Sequence, residues 1–289
     1  MLCSAINQDL LIERARQVRI GSLLSIYFAG SGHPGGSLSA ADLLTALWSE
    51  ELNVFPEDRE STSRHKFILS KGHACPALYA ILAEMGYLQK TALKTLRKLG
   101  SPLQGHPHVL DLPCVEASTG SLGQGFSVAI GMALGLKKQQ KAERVYVLLG
   151  DGELQEGEIW EGAMCAAQFQ LDNLCAIVDY NKLQSDDFNE RIMGLEPLGA
   201  KWEAFNWHVL EIDGHNFFEI SEALAKSRSH GLGPTLIIAH TLKGKGVSFM
   251  EGNPAWHGSV KLQLEDMETS LDDLGMTNEE IQRSLHGNV

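Results

Sequence analysis

Short, continuously apolar runs alternate along the chain with longer stretches whose apolar residues recur every three or four positions. Leu11, Ala15 and Val18 mark one face of a predicted helix over residues 5–29. The run Ser31-Gly-His-Pro-Gly-Gly-Ser37, rich in glycine with one proline, reads as a break, after which Ser39–Leu47 looks helical again. Phe67–Leu69 is a short strand ending at Ser70-Lys-Gly-His73, and Pro76 sits at the start of a helix through Ala77–Met85. Three Pro, three Gly and two His make Gly100–Gly120 a loop. Leu122, Phe126, Ala129, Ile130 and Ala133 line one face of the next helix.

Val145–Leu149 and Leu174–Val178 read as buried strands, and Trp207–Ile212 and Thr235–Ala239 as a third and a fourth strand. A helix follows Gly150-Asp-Gly152 as far as Phe169, and another spans Phe217–Ser229. Short apolar strands alternating with helices indicate an α/β fold: a mainly parallel sheet covered on both faces, doubly wound if its crossovers are right-handed. The acidic tail after Lys261 carries Thr277-x-x-Glu280, a capping box for one last short helix. With no repeat and no linker, the chain reads as one domain, residues 1–260, with 261–289 as a tail belonging to it.

Composition narrows the function. The 289 residues are 44% hydrophobic and 21% charged, which excludes a disordered or fibrous chain. A formal charge of −12 argues against nucleic acid as a partner, because phosphate backbones need a basic stripe. No segment approaches the length of a membrane span. Met1–Arg16 lacks the pattern of a signal or transit peptide. Five cysteines without CxxC spacing fit reduced thiols and a cytoplasmic setting.

Four constellations carry possible chemistry. Gly150-Asp-Gly152 and Asp179-Tyr-Asn181 both follow predicted strands, where open α/β sheets bind ligands. Asp151 and Asn181 offer hard oxygens suited to Mg²⁺ or Ca²⁺, and Gly152 lets backbone approach a phosphate. The spacing is neither a Walker loop nor the dinucleotide fingerprint. By itself Gly-Asp-Gly also suits an ordinary turn after a strand. His33, His73, His106 and His257 all lie among Gly, Pro or Lys without metal-ligand spacing, which favours hydrogen bonding to a polyhydroxylated substrate and to phosphate oxygens. Ser118-Thr-Gly-Ser-Leu-Gly-Gln-Gly125 has the form of a cofactor-cradling turn, and equally of a helix packed closely on its own sheet. Of Glu153, Glu156, Glu158 and Glu161, the pair Glu153 and Glu158 reads as a solvated acidic first turn.

In order and combination, six motifs resemble transketolase from about residue 10 to about residue 260. They are Ser31-Gly-His-Pro-Gly-Gly, Leu69-Ser-Lys-Gly-His-Ala, Gly105-His-Pro, Ser118-Thr-Gly-Ser-Leu-Gly-Gln-Gly, Gly150-Asp-Gly-Glu-Leu-Gln-Glu-Gly and Asp179-Tyr-Asn-Lys. Two positions depart from the family pattern: Ser121, where many members have Pro, and Tyr180, where the cofactor signature often has Asn.

The resemblance implies the diphosphate-binding domain of the thiamine diphosphate fold, with Mg²⁺ (Ca²⁺ or Mn²⁺ substituting). It implies transfer of a two-carbon ketol unit between phosphorylated sugars. Asp151 and Asn181 would hold the metal by side chain and Leu183 by its carbonyl. Gly152 and His73 would contact the diphosphate; Gly120 and Leu122 would line the thiazolium and aminopyrimidine pocket. His33, His106 and His257 would serve the sugar hydroxyls and proton transfer. Glu156 and Glu161 resemble acidic residues linking cofactor sites across a dimer. The family's next two domains are not found in these 289 residues. The resemblance is therefore to the N-terminal subunit of a split transketolase, pairing with a C-terminal subunit in an α₂β₂ assembly built on a homodimer of this chain. The runner-up readings are a subunit of a deoxyxylulose-phosphate-synthase-like or 2-oxo-acid dehydrogenase enzyme, and a non-catalytic cofactor-binding chain.

Overall fold

The computed structural model describes residues 8–52, 63–112, 114–185 and 187–286. Cys3, Pro113 of the expected loop, and residues 5–7 of the expected first helix lie outside them. The first strands and helices are α1 (Gln8–Ala29), α2 (Pro34–Ala46), β1 (Lys66–Leu69), α3 (Cys75–Glu84), α4 (Gln124–Lys138), β2 (Val145–Gly150), α5 (Gly157–Gln168) and β3 (Leu174–Tyr180). A short hairpin, β4 (Leu183–Gln184) with β5 (Asp187–Phe188), and two short helices, α6 (Asn189–Ile192) and α7 (Leu198–Ala204), follow. The chain then runs through β6 (His208–Asp213), α8 (Phe217–Ser229), β7 (Thr235–His240), α9 (Leu264–Asp273) and α10 (Asn278–His286).

Five strands form one parallel sheet in the order β1-β2-β3-β7-β6. Because side chains alternate across a strand, each apolar run feeds two cores. Tyr146, Leu148, Cys175, Ile177, Ile237 and Ala239 pack on the layer of α1, α2, α3 and α8. Val145, Val147, Leu149, Ala176, Val178, Leu236 and Ile238 pack on α4, α5 and α7. Of the crossover helices, α4, α5 and α7 thus lie on the second face, while α8, between β6 and β7, lies on the first. The expected α/β architecture, a parallel sheet with helices on both faces, is the one observed. Among the described residues no helix is long and apolar enough to cross a membrane.

Three local expectations are corrected, and one stretch had none. The Gly-Pro run does not stay a break, because α2 already starts at Pro34. Proline costs nothing at a first helical position, and Gly35 is needed there because a Cβ would come within 2.7 Å of the Trp256 carbonyl oxygen. After Gly152 the chain makes a 3₁₀ turn over Gly152–Gln155, and an extended Glu156 separates it from α5. The stretch from β4 to α7 carried no pattern that predicted elements. The tail holds two helices rather than one: Thr277 and Glu280 cap α10 reciprocally as expected, while α9 was missed. Met267, Leu271, Ile281 and Leu285 of this tail join the core that contains α1.

Candidate active site

All five sheet strands point their carboxyl ends the same way, so the loops after β1, β2, β3 and β7 converge at one edge. There they enclose a cleft of about 350 Å³. His33, His73, Gly120, Leu122, Asp151, Gly152, Glu156, Asn181, Leu183 and His257, all singled out from the sequence, line it. His106 stands behind Gly120, whose Cβ would lie 2.9 Å from the imidazole. Glu161 is exposed on α5 and does not reach the cleft.

Asp151 accepts from the Gly152 amide at 2.8 Å and from the Lys182 amide. Burial pushes its carboxyl up to about 6, although the Lys243 ammonium nearby opposes this. The Asn181 side-chain oxygen accepts from the Leu183 amide at 3.2 Å. Lys243, buried, donates to the Leu183 carbonyl and to Nδ1 of His257. Burial brings its ammonium down to about 8. Asp151, Asn181 and the Leu183 carbonyl thus form a set of hard oxygens, the donor chemistry that Mg²⁺ and Ca²⁺ favour. The Lys243 ammonium on the Leu183 carbonyl shows that the set already attracts a cation. A Cβ on Gly152 would come within 2.8 Å of the Gln184 side chain, so only glycine leaves this cradle open. These residues fit a metal–diphosphate group.

The imidazoles form a row. The His33 and His73 ring centres are 5.3 Å apart, and those of His73 and His257 are 5.7 Å apart. Burial, aided by nearby cations, holds His33 down at about 4, His257 at about 3 and His73 well below its usual value. At neutral pH the row is uncharged, so each ring has one donor and one acceptor nitrogen.

Sequence reasoning missed four residues here. Lys71, buried, donates to the Asp179 carboxylate and to the Gly36 carbonyl. Asp179 also accepts from the Ser39 and Thr241 hydroxyls. Burial works to raise Asp179, but Lys71 and these hydrogen bonds outweigh it and hold the carboxyl below its usual range. Glu153, expected in solvent, is buried and accepts from the Ser70 hydroxyl and from the Gly123 and Gly150 amides. This is a correction: its carboxylate ties the loop after β1 and the start of α4 to the end of β2. Lys243 is the fourth. Its signal was its position just past β7, at the carboxyl edge where parallel sheets bind ligands.

The fold and cleft define an α/β domain with a diphosphate-suited cleft at the carboxyl edge of its sheet, and comparison with known proteins gives the family. The family described as "Transketolase, thiamine diphosphate binding domain" matches residues 12–283. An apulose-4-phosphate transketolase subunit of Phocaeicola vulgatus is 40% identical over 262 residues, covering 91% of this chain and 92% of that protein. The 6-deoxy-6-sulfo-D-fructose transketolase subunit SqwG of a Clostridium species is 42% identical, covering 91% and 96%. Human transketolase is 41% identical over 86% of this chain, which corresponds to 39% of that protein. The crystal structure of Campylobacter jejuni transketolase superposes with a TM-score of 0.89 at 35% identity, covering 94% of this chain and 43% of that one. The chain belongs to the transketolase family, and its sheet domain is that family's thiamine diphosphate-binding domain.

Proposed function

We propose that this chain is the diphosphate-binding subunit of a two-polypeptide transketolase. It would transfer a two-carbon ketol unit from a ketose phosphate to an aldose phosphate in the cytoplasm. One observation carries the reading: the hard-oxygen set, a buried ammonium and a row of neutral imidazoles share one cleft on a transketolase-family domain. Proteins named as transketolase subunits match this chain over nearly their whole length, which supports a partner that supplies the pyrimidine-binding and C-terminal domains.

Asp151, Asn181 and the Leu183 carbonyl would hold Mg²⁺, with Ca²⁺ or Mn²⁺ able to substitute. The Gly152 backbone, His73 and Lys243 would face the diphosphate, and Gly120 and Leu122 the rings. Thiamine diphosphate, when bound, supplies the electron sink that lets a carbon–carbon bond beside a carbonyl break. His33, His106 and His257 would hydrogen-bond the sugar hydroxyls. His33 stays neutral at working pH, so its free lone pair can take a proton from one oxygen and return it to another. His257, whose Nδ1 already accepts from Lys243, would present Nε2–H as a donor to a sugar oxygen. Glu156, exposed at the rim, and Glu161, exposed on α5, would face a second copy of this chain within an α₂β₂ assembly.

Asp151→Ala tests the site. Titration of thiamine diphosphate in MgCl₂ by calorimetry, with the partner subunit present, should show affinity lower by roughly 10²-fold, the loss expected when a charged anchor is deleted. Wild-type affinity in the variant would sink the metal assignment. Decarboxylation of pyruvate without ketol transfer would replace transketolase with another thiamine enzyme.

A further inference from the structure

Lys243 reaches the cleft from the loop after β7, and that loop is gripped from outside the cleft. Nε2 of His215, in the turn after β6, accepts the Leu242 amide at 2.8 Å. An amide can only donate, so Nε2 carries the lone pair and Nδ1 carries the proton. Nδ1 lies 2.6 Å from the Asp42 carboxylate on α2 and donates to it. Asp42 in turn accepts from both terminal guanidinium nitrogens, Nη1 and Nη2, of Arg19 on α1, at 3.1 and 2.5 Å. Arg19 and Asp42 are 8% and 5% exposed, so the pair is shielded from solvent and does not trade partners with water. The turn is pressed onto the loop: a Cβ at Gly214 would lie 2.5 Å from the Thr241 methyl group.

We infer that His215 is a positioning residue for Lys243. The chain Arg19–Asp42–His215 fixes the tautomer and orientation of the ring, the ring fixes the Leu242 amide, and the next residue is delivered into the cleft at a set height. The inference rests on the reading of Lys243 as a diphosphate contact. Its logic is that of groups behind a ligand shell: they touch no ligand, yet their loss misplaces the residue that does. Other anchors hold the neighbouring residues: the Thr241 hydroxyl on Asp179, the Thr241 amide on the Tyr180 carbonyl, the Gly244 amide on the Gly35 carbonyl, and the Gly252 amide on the carbonyl of Lys243 itself. His215 is the anchor on the residue immediately before Lys243.

Two substitutions separate the two bonds of the ring. In H215Q the side-chain oxygen reaches the place of Nε2 and can still accept the Leu242 amide. In H215N the shorter amide can still donate to Asp42, but the Leu242 amide loses its acceptor. The measurement is calorimetric titration of the full chain with inorganic diphosphate in MgCl₂. H215N should bind about 10- to 100-fold more weakly, the usual cost of losing such a support, and H215Q should bind like wild type. Thr277→Ala, which removes the cap of α10 far from the cleft, should leave diphosphate affinity unchanged and so separates positioning from general loss of stability. Equal affinities of H215N and wild type, or equal losses in H215N and H215Q, would overturn the proposal. Hydrogen exchange on the wild-type chain reads the bond without any variant. A protected Leu242 amide supports the grip, and one exchanging like an exposed loop amide overturns it even if H215N does not fold. Failure of the wild type itself to bind diphosphate would count against Lys243 as a diphosphate contact, while leaving the exchange measurement to judge the His215 contact.

Discussion

Glu153 has both carboxylate oxygens committed to donors from three different segments. Glu153→Ala should leave one hydroxyl and two amides without their acceptor. At roughly 1–3 kcal/mol per stranded buried group, partly relieved by water, a loss of about 3 kcal/mol is expected, read as a lower urea midpoint. A loss below about 1 kcal/mol would mean that the contacts are not made. Its sequence neighbours hid this role. Four glutamates within nine residues at a helix start look like a dipole-stabilised surface turn. Only the fold brings Ser70 and Gly123 around one of them. His33 gives a pH prediction of definite sign. Its folded value of about 4 lies below the usual 6.5, so between these values the unfolded chain binds a proton that the folded chain does not. Stability from this ring is complete above pH 6.5 and is lost as pH falls toward 4. Asp151, raised to about 6, works in the opposite sense over part of the same range, so the comparison must be with a variant. The melting temperature of His33→Gln should fall less steeply than that of wild type between pH 6.5 and pH 4. Parallel curves would contradict the assignment.

At the scale of the element, α4 shows two glycines with opposite roles. A Cβ at Gly125 would sit 2.6 Å from Oγ and 2.8 Å from Cα of Ser70, so the first turn of α4 rests directly on the loop after β1. A Cβ at Gly131 would meet nothing within 4 Å. Gly125→Ala should therefore cost about 1–3 kcal/mol by overpacking, and it should weaken diphosphate binding because Ser70 adjoins Lys71 and His73. Gly131→Ala should stabilise the isolated chain by about 0.5–1 kcal/mol through helix propensity alone. Chemical denaturation of the two variants checks both signs. The glycine-rich run before α4 left two readings open from sequence, cofactor cradle or close packing, and Gly125 and Gly120 divide them: the first packs on Ser70, the second lines the cleft. The central strands were legible because burial on both faces writes a continuous apolar run. The helix α9 was not, because only Met267 and Leu271 of its apolar residues turn fully inward from an otherwise acidic sequence. Lys71 and Lys243 escaped notice for a related reason: a lysine reads as surface until the fold supplies Asp179 or the Leu183 carbonyl beside it.

For the whole molecule, the question is how much of an active site one sheet domain can hold. The cleft gathers groups for a metal, a diphosphate and sugar hydroxyls, all from the carboxyl edge of one sheet. No further sheet domain is built by the described residues: beyond β7 they form only turns, α9 and α10, and both helices lie back on the core around α1. The single-chain relatives are more than twice as long as the matched region, covered to 39% in the human enzyme and 43% in the Campylobacter jejuni structure. Outward-facing apolar side chains on α4 and α5, Val128 at 39% and Met164 at 51% exposure, stand on the helices beside the cleft where a partner would cover them. We therefore expect the purified 289-residue chain, freed of host transketolase, to be silent in a coupled assay of ketol transfer between sugar phosphates. Addition of a C-terminal subunit should restore activity that depends on thiamine diphosphate and saturates at one partner per chain. At that ratio Val128 and Met164 should become protected from surface labelling, since the same contact that completes the site would bury them. Full activity of the chain alone would overturn the two-polypeptide reading; activity restored without protection of α4 and α5 would place the partner on another face.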